Sequence, residues 1–159
     1  MARRVDSVTC LRIERLGLEP HPEGGRYRRF HTSALHVAGG HGPRPAMTAL
    51  QYLLGPREGN AWQRVDADEC WHWAGGALEL RQHVPGSGVV ERVRLGPAGT
   101  RGHACWIVPA GAWQTSRALA DAALVTCVVA PGFVRERFDL LDARSPLAGE
   151  LTRLAVLQR

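Results

Sequence analysis

The chain has 159 residues, 45% of them hydrophobic and 22% charged, enough for one domain with a real core and without an apolar run of membrane-spanning length. Its formal net charge is +5, but all 20 basic residues are arginines, spread along the chain with no run longer than two, so the clustered patch of a nucleic-acid-binding protein is missing. Without a lysine no side-chain Schiff base can form, which excludes lysine-based aldolase and pyridoxal-phosphate chemistry.

The first residues, Met1 to Asp6, lack the apolar stretch of a secretory signal. The four cysteines (Cys10, Cys70, Cys105, Cys127) are scattered and form no CxxC pair. Both observations point to a reducing, cytoplasmic setting rather than a disulfide framework or a zinc ribbon.

Val8, Leu11 and Leu16 suit a short amphipathic helix over 8–16, with Gly17 where a C-terminal cap would sit. A turn, His21-Pro22-Glu23-Gly24-Gly25, then feeds an exposed basic strand over 26–32. Residues 37–45 are too rich in Gly and Pro for regular structure. From Met47 the pattern is β, with strand-like runs at 47–54, 61–65, 69–73, 77–83, 89–95, 105–108, 113–116, 123–130 and 133–140. Strands spaced by about 8–12 residues, with Gly, Pro or Asp in most gaps, favour a sandwich or barrel over a parallel α/β sheet. Ser145 and Pro146 make an N-cap and first turn for a terminal helix over about 146–157.

Four segments fall together in order: Pro20-His21-Pro22-Glu23-Gly24-Gly25, Asp68-Glu69-Cys70-Trp71-His72-Trp73, Val108-Pro109-Ala110-Gly111-Ala112-Trp113-Gln114 and Val129-Ala130-Pro131-Gly132-Phe133. With them the chain resembles the cupin-5 family, also called DUF985, of the RmlC-like cupin superfamily, over about residues 11–142. The resemblance implies an all-β fold, a double-stranded β-helix or jelly-roll barrel with short N- and C-terminal helices. The barrel core would span about 20–142 of a single domain, 1–159, commonly a homodimer. Activity does not follow from fold. Three departures from the family pattern matter. Gln63 stands where a histidine is usual, Arg28-Arg29 follow the Gly-Gly where an acid is favoured, and Val134 to Arg137 replace an acidic, aromatic stretch. The expected partner is therefore a small-molecule ligand of more anionic character, with neither nucleic acid nor membrane involved.

Metal-dependent cupins use two histidines, a carboxylate and a later histidine. Here Glu69 takes the carboxylate position, but the others fall on Gln63, Arg64 and Gln114, and Gln and Arg are poor or useless transition-metal ligands. No metal or other cofactor is expected; a divalent ion remains the alternative. The leading expectation is metal-independent proton transfer by Glu69, its pKa raised by burial among aromatics. Trp71 and Trp73 would wall the pocket, Tyr52 would donate a hydrogen bond or proton, and Gln63, Arg64, Trp113 and Gln114 would contact the ligand. This set suits an isomerase, epimerase or related lyase or cyclase acting on a small sugar-like or carbonyl-containing metabolite. A metal-dependent enzyme and a non-catalytic binding protein are the other readings.

Strand parity leaves one choice open. Glu69 and His72 are three residues apart, so a regular strand points them to opposite faces, and a one-residue slip exchanges the whole set. Placing Glu69 inward buries both tryptophans and is preferred. His72 is kept as a catalytic candidate, because a bulge could reunite the two. Glu23 is either a contributor to the pocket mouth or part of a turn, paired with a nearby arginine.

Overall fold

The computed structural model describes residues 7–38 and 42–157. Helix α1 (Ser7–Leu16) precedes the strands β1 (Glu19–Pro20), β2 (Arg26–Thr32), β3 (His36–Val37), β4 (Arg44–Pro45), β5 (Thr48–Leu54), β6 (Gln63–Val65), β7 (Asp68–Gly75), β8 (Leu78–His83), β9 (Glu91–Leu95), β10 (Cys105–Val108), β11 (Trp113–Ala118), β12 (Ala123–Ala130) and β13 (Phe138–Leu140). Helix α2 (Pro146–Leu157) closes the order. A six-stranded sheet runs β1-β2-β5-β12-β7-β10, and a five-stranded sheet runs β13-β6-β11-β8-β9. The strand pairs are antiparallel. This is the jelly-roll barrel that the resemblance implied.

Period-two alternation drives the closure. In β12, Ala123, Val125, Cys127 and Val129 are buried, and the residues between them are half-buried. Facing positions on both sheets meet in one core, with Tyr52, Trp71 and Val125 from one side and Leu78, Leu80 and Leu95 from the other. Apolar side chains on one face of each strand leave water only by stacking the two sheets.

The helices cover the outside. Ile13 and Leu16 of α1 pack with Leu18, Leu53 and Ala122. The helix ends on Gly17 at φ 61°, where the Leu18 N–H reaches the Ile13 carbonyl and the Gly17 N–H reaches that of Glu14. Ser145 caps α2, its hydroxyl accepting the Ala148 N–H at 3.3 Å, and the fully buried Leu151 docks beside Trp113 and Val90. No described helix is long and apolar enough to cross a membrane.

Two segments differ from expectation. The loop 37–45 contributes to a small ladder between β3 and β4, its residues 39–41 lying outside the described set along with 1–6 and 158–159. The expected strand over 133–140 is divided. The chain here passes from β12 in one sheet to β13 in the other, through a 3-10 turn at Arg135–Arg137. The crossing places Phe133 and Phe138 edge to face, 5.8 Å apart, over one end of the barrel.

The turn before β2 lies over the same end. The Tyr52 hydroxyl donates to the Gly24 carbonyl at 2.8 Å, and the Glu58 carboxylate accepts the Gly25 N–H at 3.0 Å. Gly25 has φ 75°, and a Cβ there would lie 2.8 Å from the Leu53 carbonyl and 3.0 Å from Tyr52 Cε2. Both backbone conformation and space demand glycine. Gly25→Ala is expected to cost more than about 1 kcal/mol, read as a lowered thermal-unfolding midpoint.

Candidate functional site

The inner cavity, about 290 Å³, lies at the end of the barrel covered by the β1–β2 turn and the crossing segment. Glu69 and Trp71 project into it from β7, Tyr52 from β5, Gln63 from β6 and Cys127 from β12. The carboxyl of Glu69 is buried, and Gln114 on β11 is fully buried beside it.

These groups form a directional relay. The Trp71 indole N–H can only donate, and it meets Gln114 Oε1 at 2.9 Å. That contact sets the amide orientation and turns Gln114 Nε2 toward Glu69 Oε2, 2.5 Å away. The buried Glu69 carboxyl is thus fixed in position. Burial raises its pKa, and the hydrogen bonds from Gln114 and the Cys127 thiol oppose the rise only in part.

A second carboxyl faces the same space. The Glu23 side chain is 2% exposed, and its Oε2 has no hydrogen-bond partner among the described residues. Burial pushes its pKa up to about 7, against the pull of Arg135 and with a further push from Glu69. Neighbouring His21 is held below its usual pKa by burial and by Arg135. Its Nδ1 accepts the Glu23 backbone N–H at 3.3 Å, which requires a neutral ring nitrogen. The 3.8 Å approach of that nitrogen to Glu23 Oε2 is therefore no ion pair.

Other candidates lie elsewhere, mostly for reasons of parity. Glu69 points inward, so His72 is exposed on the outer face, opposite Cys105 and Thr126 in the ladders. Cys70 shares that outer face, its Sγ 3.1 Å from that of Cys105, and partial burial with the neighbouring thiol pushes its pKa up to about 11. Trp113 and Gln114 are adjacent and cannot both face in. Gln114 turns inward, while Trp113 packs under α2 with the Arg64 guanidinium 4.8 Å above its ring. Arg64 is also bonded to Asp139 at 2.7 Å, away from the cavity. Trp73 packs on the core further along the barrel, its N–H on the Gly76 carbonyl. Tyr52 lines the cavity, but its proton is engaged by Gly24, and burial holds its pKa well above the usual phenol range.

Residues not among the expected site contacts complete the walls: Arg29 on β2, and Phe133, Arg135 and Phe138 of the crossing segment. Parity with Tyr27 places Arg29 inward, a signal available in the sequence once the strand is known. The path of residues 133–138 had no such local signal. A larger groove, about 550 Å³, lies on the outside between the five-stranded sheet and α2. Its carboxylate, Glu79, is already held by Arg81 and Arg92, with its pKa lowered, so it offers no poised acid or base.

The potential donors lining the cavity are the Glu69 and Glu23 carboxyls, the His21 imidazole, the Cys127 thiol, the Tyr52 phenol and the Gln63 amide, and among the described residues no three His, Cys, Asp or Glu side chains are grouped closely enough to hold an ion.

Two consequences follow for stability. Gln114→Leu strands the Trp71 N–H and the Glu69 carboxyl and is expected to cost about 1–3 kcal/mol in denaturant unfolding. Below about pH 7 Glu23 stays protonated in the folded chain, while its unfolded counterpart ionises from a pKa of 4.5. Folding thus holds an extra proton between about 4.5 and 7, and stability contributed by this group falls as pH rises through that window. Glu23→Gln should make the decline of unfolding midpoint with pH shallower there, with Glu69 supplying the remaining slope.

The family profile described as "Cupin superfamily (DUF985)" matches residues 11–141. Among solved structures, the chain is similar to a hypothetical protein from Leishmania major at 29% identity and TM-score 0.81, covering 93% of this chain and 95% of that one. It is likewise similar to a protein from Shewanella oneidensis at 28% identity and TM-score 0.80, covering 98% and 96%. Oxalate decarboxylase from Bacillus subtilis shares the fold alone, at 16% identity and TM-score 0.59, over 86% of this chain and 34% of that one. No curated protein matches the sequence. With a profile match over most of its length and the barrel to go with it, the chain belongs to the DUF985 family of the cupin superfamily.

Proposed function

We propose that this protein is an enzyme that moves protons on a small polar, carbonyl-containing or sugar-like metabolite without a metal, as an isomerase, epimerase or related lyase or cyclase. The observation that carries the proposal is the pair of buried carboxyls on one small cavity, Glu69 anchored by Gln114 and Glu23 with an unpartnered oxygen. Environments that raise both pKa values while coupling the two charges favour one ionised and one protonated member near neutral pH.

The ionised carboxylate takes a proton from a carbon beside the carbonyl. The protonated partner gives its own to the carbonyl oxygen or to a neighbouring carbon, and reversal restores both groups. Return of the proton to the opposite face epimerises; return to the adjacent carbon isomerises. Gln63, buried on the cavity wall, offers an amide to orient a carbonyl or hydroxyl. Trp71 holds Gln114 in register, and Tyr52 secures the turn that carries Glu23. His72, Arg64, Trp73 and Trp113 take no part in these steps, because they do not line the cavity.

A panel of aldoses, ketoses and hydroxy acids in D2O, followed by NMR, tests the reading. Wild-type protein should introduce deuterium beside the carbonyl of at least one member. Glu69→Gln should slow that exchange by roughly 100-fold or more while the unfolding midpoint holds. Undiminished exchange in Glu69→Gln, or exchange abolished by chelator, would sink the proposal.

A further inference from the structure

Most arginines with defined partners on this molecule are tied to acids. Arg44 pairs with Asp66, Arg64 with Asp139, and Arg81 and Arg92 with Glu79. Two that line the inner cavity differ. Arg29 and Arg135 have no acidic side chain within ion-pair distance among the described residues. Each instead lies over an aromatic ring. The Arg29 guanidinium is 5.3 Å from the centroid of Phe133, and that of Arg135 is 5.0 Å from Phe138.

Because Phe133 and Phe138 touch edge to face, the two arginines, 106 positions apart in the chain, form one array at the cavity mouth. Stacking positions the guanidiniums and, among the described residues, leaves their edge N–H donors without a hydrogen-bond partner. The deeper carboxyls do not neutralise them. Glu69 lies further in, and Glu23, although Arg135 acts on it electrostatically, makes no ion pair with it among the described residues. Both arginines are exposed on the rim, and positive charge held there attracts anions and can hold one by charge-assisted hydrogen bonds.

We propose that Arg29 and Arg135 anchor the anionic group, a carboxylate or phosphate, of the molecule that enters the cavity. The substrate class is then a small organic acid or phosphomonoester, its charged end at the mouth and its polar carbon body reaching toward Glu69. A cavity of about 290 Å³ is at the small end of ligand pockets, which limits the occupant to a compact metabolite. This assignment of substrate class rests on the proton-transfer reading, but it is tested by binding alone.

Glycerol 3-phosphate, glycerate and glycerol form a matched set of probes, titrated to millimolar concentration by ligand-observed NMR. Wild-type protein should bind one or both anions at least about tenfold more tightly than glycerol, and the stronger anion identifies the preferred group. In the double variant Arg29→Gln, Arg135→Gln that advantage should vanish, with glycerol binding unchanged. The double lysine variant should recover part of it, since charge returns without the guanidinium fork. Glu69→Gln should keep the anion preference, so failure of the acid–base reading and failure of this one give different results. The proposal is overturned if neither anion binds better than glycerol to wild-type protein, or if the preference survives in the glutamine double variant. Should circular dichroism show that variant unfolded, the wild-type and lysine-variant titrations decide.

Discussion

A carboxyl group buried beside a barrel core is tolerable only if something replaces the water it has lost. For Glu69 that replacement is the relay from the Trp71 indole through the Gln114 amide. The indole has one donor and no acceptor, so it leaves the amide only one way to face, and the amide meets the carboxyl with its donor side. β7 supplies the first and last members and β11 the middle one, so the relay also ties together the two sheets of the barrel. Removing the middle member would leave two polar groups unsatisfied at once, which is why the geometry of the site and the cohesion of the sheets are a single problem here.

The cavity above the relay is closed by two segments that cross over it without joining either sheet there. The β1–β2 turn is held down by Tyr52 and Glu58, and its tight fit at Gly25 puts Glu23 over the opening. The segment after β12 brings Phe133, Arg135 and Phe138 to the other side. The result is graded along its depth: neutral amides and a poised carboxyl inside, a second carboxyl at the lip, and guanidiniums on aromatic rings outermost. Positive charge is thus concentrated at the exposed rim, while the buried end holds a carboxyl whose pKa burial raises.

The outer surface offers a contrast. His72 and Cys70 lie on the far side of β7 from Glu69, and Cys105 on β10 lies beside them. Proximity along a strand is a poor guide to chemistry, because each residue reverses the direction of the one before it.

The strands were legible in the sequence because apolar alternation and Gly/Pro punctuation are local. β10 and β12 fall at the expected residues, and α1 and α2 are framed by their caps. The inward pointing of Glu69 was legible too, as the choice that buries Trp71. Beyond that, local pattern was insufficient. It offered Trp113 and Gln114 as joint ligand contacts and placed Arg64 near the site, although α2 draws Trp113 and Arg64 to the outside. It also read 133–140 as one strand, because nothing in eight residues reveals that the chain must change sheets.

By itself, then, the sequence determined the all-β architecture and the family. The tertiary structure decided that Glu23 rather than His72 shares the cavity with Glu69, and that Arg29 and Arg135 meet at its mouth. The physical reason is range. Periodicity and ligand chemistry belong to neighbouring residues, whereas burial, shared electric fields and convergent side chains arise only when segments far apart in the chain are folded against one another.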